Sequence, residues 1–156
     1  MRWIDTWLDP ESGRIVLLQT TILLLLDTYR QVESKSLEAG GALLGCRRDP
    51  HLEVARITEP GVGDVRKRTF FDRRDPCHQR DAIEAWRDSG RFVDYLGDWH
   101  THPEPSPTPS GVDFEQWHLL RMQTNIDPML ELIIGTEDMW VGLVVNGKVQ
   151  RLIPTA

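Results

Sequence analysis

His100-Thr101-His102, a proline-rich loop and Ser110-Gly111-Val112-Asp113 supply two imidazoles and a carboxylate within one short stretch of chain. Imidazole nitrogen and carboxylate oxygen both suit zinc, with bonds of about 2.0–2.2 Å. Three protein ligands leave a fourth position open, the pattern of a catalytic rather than a closed structural site. His-x-His alone is common, and Ser110-x-x-Asp113 alone reads as a capping box at a helix start. The combination is far more specific than either part.

Hydrolysis at such a centre also needs a group that takes a proton from water and hands it to the leaving amine. Glu38, in Leu37-Glu38-Ala39-Gly40-Gly41-Ala42-Leu43-Leu44-Gly45, is the best candidate. It sits where a strand is about to begin, and the two glycines let another backbone or a ligand come close. Taken alone, a glutamate before Gly-Gly is more often a solvated loop carboxylate. Glu33 is a rival, but it reads as the polar end of a helix and lacks the glycine-rich context.

The elements that must position these groups follow from residue types. Phe92 to Trp99 is rich in β-branched and aromatic residues and reads as a strand. If it runs through His102, residues two apart share a face and the two histidines converge. Pro103, Pro105, Pro107 and Pro109 fix φ and deny ladder donors, giving a stiff loop. Ser110 then caps a helix from Gly111 to about Gln123, with Asp113 in its first turn. The loop thereby brings Asp113 back to the histidines.

Elsewhere, Trp3–Leu8 and Arg14–Leu18 read as strands joined by a turn through Pro10 and Gly13, and Thr20 to about Glu33 as a leucine-dense, largely buried helix. Gly40–Cys46 and Leu52–Thr58 read as neighbouring strands. Residues 59–75 are loop-rich, with a short strand at Thr69–Phe71, and lie between the two halves of the motif, where they are placed to cover the site. Pro76–Ser89 reads as a helix whose stripe is Ala82, Ile83 and Trp86. Trp117 and Leu120 read as core on the later helix. Strands follow at Met129–Gly135, Trp140–Val145 and Lys148–Ile153, the last two joined by the hairpin signal Asn146-Gly147. The pattern predicts an α+β fold, a single curved mixed sheet flanked by about three helices, in one domain over 1–156.

Composition bounds the function. The 156 residues are 40% apolar and 27% charged, ordinary for a folded domain. A net charge of −6 argues against a broad nucleic-acid surface. The basic clusters Arg47-Arg48, Arg66-Lys67-Arg68 and Arg73-Arg74 read as solvated loops. Two cysteines, Cys46 and Cys77, form no CxxC and no disulfide framework, which fits free thiols in a reducing cytoplasm. Neither lies in a nucleophile motif, although His78 adjoins Cys77. The N-terminus shows no signal-peptide core, and Ile22–Leu26 is too short to span a bilayer. The expectation is a cytoplasmic protein without a membrane partner.

Glu38, followed far downstream by His100-x-His102-Pro103, six residues, Ser110, two residues and Asp113, resembles the signature of the JAMM proteins, the zinc-dependent JAB/MPN+ (Mov34-type) metallopeptidases. The Glu-x-Gly-Gly-x-Leu-x-Gly context is similar too, and the resemblance covers most of the chain. It implies the JAB/MPN, cytidine-deaminase-like fold. It implies zinc on His100, His102 and Asp113, Glu38 as the general acid/base acting on a zinc-held water, and Ser110 as a hydroxyl that helps stabilise the oxyanion. Thr101 occupies a variable position and receives no role. The implied reaction is cleavage of a peptide or isopeptide bond after the C-terminal tail of a ubiquitin-like protein. The tail would lie extended against a sheet edge.

The compact form resembles prokaryotic JAB deconjugases of ubiquitin-like operons. Among these are the peptidases of bacterial CBASS anti-phage systems, which release a cyclic-nucleotide synthase from its conjugates. Other readings stay open: a JAB peptidase that processes sulfur-carrier C-termini, a RadC-like DNA-associated protein, or a zinc-holding module without turnover. Against the RadC-like reading, the chain is acidic and shows no N-terminal helix-hairpin-helix module.

Overall fold

The computed structural model describes residues 5–155. Nine strands form one mixed sheet in the order β10-β9-β8-β7-β3-β4-β2-β1-β11. They are β1 (Thr6–Leu8), β2 (Ile15–Leu18), β3 (Gly40–Arg48), β4 (His51–Ile57), β7 (Asp94–Thr101), β8 (Met129–Ile134), β9 (Met139–Val145), β10 (Lys148–Arg151) and β11 (Ile153–Pro154). A separate hairpin pairs β5 (Val65–Lys67) with β6 (Phe70–Asp72), and the helices are α1 (Thr20–Asp27), α2 (Cys77–Asp88) and α3 (Gly111–Thr124). The α+β architecture expected from the sequence is the one observed. Trp3 and Ile4, the start of the first expected strand, lie outside the described residues.

Side-chain alternation assigns the helices to faces. Leu130, Leu132 and Ile134 of β8 join Trp99, Leu43, Val54 and the α1 residues Ile22, Leu23 and Leu26 in the main core. Met129 and Ile133, on the opposite face, pack with Trp140 under Trp117 of α3. Ala42 and Leu44 of β3 meet Ala85 of α2 on that second face. β7 and β8 are parallel neighbours, so α3 is the crossover helix that parallel pairing requires. The crossover places the end of β7 beside the start of α3.

Several elements depart from expectation. α1 stops at Asp27 rather than near Glu33, and Leu24 is exposed on its outer side. Tertiary contacts draw the following residues out of the helix. The Tyr29 ring packs on Trp99, and its hydroxyl donates to Glu59 at 2.6 Å. Gln31 is buried, donates to the Arg68 carbonyl at 2.8 Å and accepts from the Thr101 hydroxyl at 2.8 Å. Glu33 therefore lies in a loop, not at a helix end. On α2 it is Ala85 and His78 that are buried, whereas Ile83 and Trp86 are exposed.

His78 is not a partner for a cysteine nucleophile. Its two ring nitrogens meet Thr58 Oγ1 at 2.5 Å and Asp64 Oδ2 at 2.6 Å, tying residues 59–75 to the sheet. Burial and the adjacent Asp75 carboxylate push the Cys77 thiol up to about 11, leaving it protonated and unreactive at neutral pH.

Candidate metal centre

The centre forms where β7 ends and α3 begins. β7 pairs with β3 on one side and β8 on the other, which holds His100 in a two-sided ladder. The strand stops at Thr101, and His102 continues its direction through a hydrogen bond from its N–H to the Ile134 carbonyl at 3.0 Å. His100 Nε2 and His102 Nε2 lie 3.0 Å apart. Asp113 reaches both, with Oδ1 3.1 Å from His100 Nε2 and Oδ2 3.2 Å from His102 Nε2.

Asp113 is aimed by a capping box. The Ser110 hydroxyl accepts the Asp113 N–H at 3.2 Å, while Asp113 Oδ2 accepts the Ser110 N–H at 2.8 Å. Cap and cluster thus share one carboxylate, and the Ser110 hydroxyl hydrogen stays available to the pocket.

This donor set fits zinc. Three ligand atoms at bond lengths of about 2.0–2.1 Å in a tetrahedron sit roughly 3.3 Å from one another. The two nitrogens are 3.0 Å apart, and a separate Asp113 oxygen lies 3.1–3.2 Å from each. One ligand atom per residue can be chosen so that all lie within 4.8 Å of one another. His102 Nδ1 meets Glu104 Oε1 at 2.9 Å, an outer carboxylate that would fix the tautomer with a metal in place of the Nε2 proton. Burial alone would raise the Asp113 carboxyl. Hydrogen bonds from both imidazoles outweigh it and hold Asp113 far below the usual carboxylate range.

Glu38 completes the group. It is buried at 4% exposure, and its Oε1 lies 3.8 Å from His102 Nε2. Burial, countered by His102 and reinforced by Asp113 and Glu104, raises its carboxyl to about 7, where a group can both accept and return a proton at neutral pH. The glycines after it act as the sequence suggests. A Cβ on Gly41 would meet the Thr58 carbonyl at 2.0 Å, and one on Gly40 would meet the Phe71 ring at 2.6 Å.

A pocket of about 570 Å³ opens above these residues, walled by Phe70 and Phe71 of the hairpin, Trp99, and Val112 and Leu120 of α3. The 59–75 segment therefore forms one wall of the site. Two of its arginines, Arg66 and Arg73, turn inward, contrary to expectation, whereas Arg68 and Arg74 stay exposed. Arg66 and Arg68 bond main-chain carbonyls, and Arg73 pairs with Asp98.

Sequence reasoning missed two participants. Glu104 carried only the signal of a carboxylate two residues after a ligand-type histidine. Thr101 was given no role. It is fully buried, and its hydroxyl accepts the Ala39 N–H at 2.9 Å, next to Glu38.

Beside the pocket, Asp98 of β7 and Glu131 of β8 stand in register. Asp98 accepts hydrogen bonds from Arg73 and from the Tyr95 hydroxyl. Glu131 is fully buried, and neither carboxyl oxygen has a hydrogen-bond partner among the described residues. Burial first, and then the Asp98 charge, push its carboxyl well above the ordinary value of 4.5, so it keeps its proton in the folded state.

An acid that binds its proton more tightly when folded stabilises the fold fully below its unfolded pKa. That contribution is lost as pH rises through the folded one. Glu131→Gln removes the titration at nearly constant volume. The variant should match wild type near pH 4 and exceed it at pH 8, by about 2–4 °C in Tm for each kcal/mol. Thermal unfolding at both pH values reads this, and an identical Tm difference at the two would contradict it.

The comparisons with known proteins agree with this picture. A family model described as prokaryotic homologs of the JAB domain matches residues 26–145. A protein of Escherichia coli named CD-NTase/cGAS isopeptidase is 39% identical over 146 residues, covering 94% of this chain and 92% of the relative. A probable metalloprotease of Sinorhizobium fredii is 35% identical over 120 residues, covering 74% of this chain and 73% of the relative. The solution structure of a Desulfitobacterium hafniense protein shares the fold, with a TM-score of 0.61 at 23% identity, over 87% of this chain and 88% of that one. No helix among the described residues is long and apolar enough to cross a membrane. The chain belongs to the prokaryotic JAB family, within the JAMM metallopeptidases, and is a hydrolytic enzyme.

Proposed function

We propose that the chain is a zinc-dependent isopeptidase that cleaves after the C-terminal tail of a ubiquitin-like protein and so reverses conjugation, as in bacterial CBASS anti-phage defence. The conjugate of a cyclic-nucleotide synthase is its expected substrate, in line with the name of the Escherichia coli relative. One observation carries the reading. Two imidazoles and a carboxylate converge to 3.0–3.2 Å with a buried glutamate 3.8 Å away, drawn from three separate elements of the fold. Two free, partly buried thiols suit a cytoplasmic setting.

His100, His102 and Asp113 would hold the metal, with Glu104 orienting His102. A zinc ion there would supply Lewis acidity, polarising the scissile carbonyl and making water a stronger acid. Glu38 takes the proton of the attacking water and delivers it to the leaving amine, a task matched to a carboxyl near neutrality. The Ser110 hydroxyl donates to the developing oxyanion. Phe70 and Phe71 exclude water from the bond being cut and face the apolar part of an extended tail.

The test uses two synthetic substrates carrying one ubiquitin-like C-terminal tail peptide, joined either to a lysine Nε or to a linear extension. The reading expects faster cleavage of the lysine-linked form, at the end of the tail. Cleavage of the linear form alone would move the function to C-terminal processing, as in sulfur-carrier maturation.

A further inference from the structure

Glu38 precedes the first residue of β3, so its peptide group is not secured by that strand's own ladder. Its neighbour Ala39 is fixed by β7: the Ala39 N–H donates to Thr101 Oγ1, and the Ala39 carbonyl accepts the Thr101 N–H, each at 2.9 Å. Glu38 itself is held from the other side, by the hairpin. Its N–H donates to the Lys67 carbonyl at 2.8 Å, and its carbonyl accepts from Arg66 Nε at 2.8 Å. A second Arg66 nitrogen lies 3.5 Å from the Leu37 carbonyl. The Lys67 carbonyl would be there whatever residue stood at 67. Arg66 is the side-chain contact that the sequence encodes specifically.

We propose that Arg66 is a positioning residue that sets the location of the Glu38 carboxylate by clamping the Leu37–Glu38 main chain to the hairpin. This rests on the reading of Glu38 as the proton-transfer group. The clamp explains why an arginine in a loop-rich segment turns inward rather than into solvent. It also joins two functions in one element, because the hairpin that walls the pocket through Phe70 and Phe71 also aims the base. With the clamp removed, the Glu38 peptide keeps only its N–H bond to the Lys67 carbonyl and can shift on its β7 anchor. A displacement of about 1 Å from productive geometry costs on the order of 100-fold in rate.

The experiment compares wild type, Arg66→Ala and Arg66→Lys, each full-length and loaded with zinc. Three readouts are taken: zinc content, amide hydrogen exchange, and kcat and KM on the lysine-linked tail peptide. Arg66→Ala should keep its zinc and exchange the Glu38 amide about tenfold or more faster, while the amides of His100 to His102 stay protected. It should lose about tenfold or more in kcat with little change in KM. Arg66→Lys, which keeps a cationic donor near the same carbonyl, should restore most of both effects.

Unchanged exchange at Glu38 in Arg66→Ala overturns the proposal. So does a kcat loss that lysine does not rescue and that comes with exposure of the whole hairpin, since that marks a general structural role. Should wild type cleave no tail peptide at all, the functional reading fails, and the exchange comparison still decides the fate of the clamp.

Discussion

Replacing Glu38 by glutamine lowers the rate of conjugate cleavage by about 10²–10⁴-fold and leaves zinc binding intact. Glutamine has nearly the same shape and cannot take a proton, so the loss isolates proton transfer from packing. The zinc survives because none of His100, His102 and Asp113 is touched. The fold survives because Lys67 and Arg66 of the hairpin hold the Glu38 main chain, and removing a buried carboxylate beside Asp113 and Glu104 relieves like-charge repulsion. Glu33, exposed in the preceding loop, provides the control: Glu33→Gln should cleave at the wild-type rate. Stopped-time cleavage with zinc measured on the same sample separates these outcomes. A Glu38→Gln enzyme with at least half the wild-type rate would remove Glu38 from the mechanism.

The second large effect is on the ligands. His102→Ala removes the nitrogen that stands 3.0 Å from His100 Nε2 and 3.2 Å from Asp113, leaving two donors where three are needed. Zinc retention should fall to background and cleavage with it, by about 10³-fold or more given the share of the barrier that a metal supplies. The effect on stability is indirect. Zinc stabilises the wild-type fold in proportion to the logarithm of its concentration over Kd, about 2.7 kcal/mol at 100 times Kd. Wild-type Tm should therefore rise on zinc addition, whereas that of His102→Ala should not. Asp113 carries two jobs, because the same carboxylate caps α3. Asp113→Ala should accordingly lose zinc and also about 1 kcal/mol of helix stability even without metal, a difference visible in the zinc-free melting curves of the two variants.

The site was more legible in the sequence than the elements around it. Period-two alternation, four prolines and a serine cap determine how His100, His102 and Asp113 meet, because each acts locally. Glu38 was readable from its glycines, which the fold uses for close approach of the Thr58 carbonyl and the Phe71 ring. What resisted reading depends on partners distant in the chain. The leucine-dense helix ends at Asp27 because Tyr29 and Gln31 find Trp99, Glu59 and Thr101, and no local pattern announces that. Arg66 and Arg73 look like solvated charges until the hairpin folds onto Glu38 and Asp98. Thr101 gains its role only when β7 lies beside β3. Glu131 is hidden in the same way: a carboxylate in an otherwise apolar strand gives no sign of whether it is paired.

In the proposed mechanism, hydrolysis depends on a metal held by His100, His102 and Asp113. The most direct measurement follows cleavage of the lysine-linked tail peptide by wild-type protein before chelation, after removal of metal, and after zinc is returned in stoichiometric amount. The account predicts full activity, then none, then recovery of most of the original rate with one zinc bound per chain. Undiminished cleavage by protein stripped of metal would contradict it.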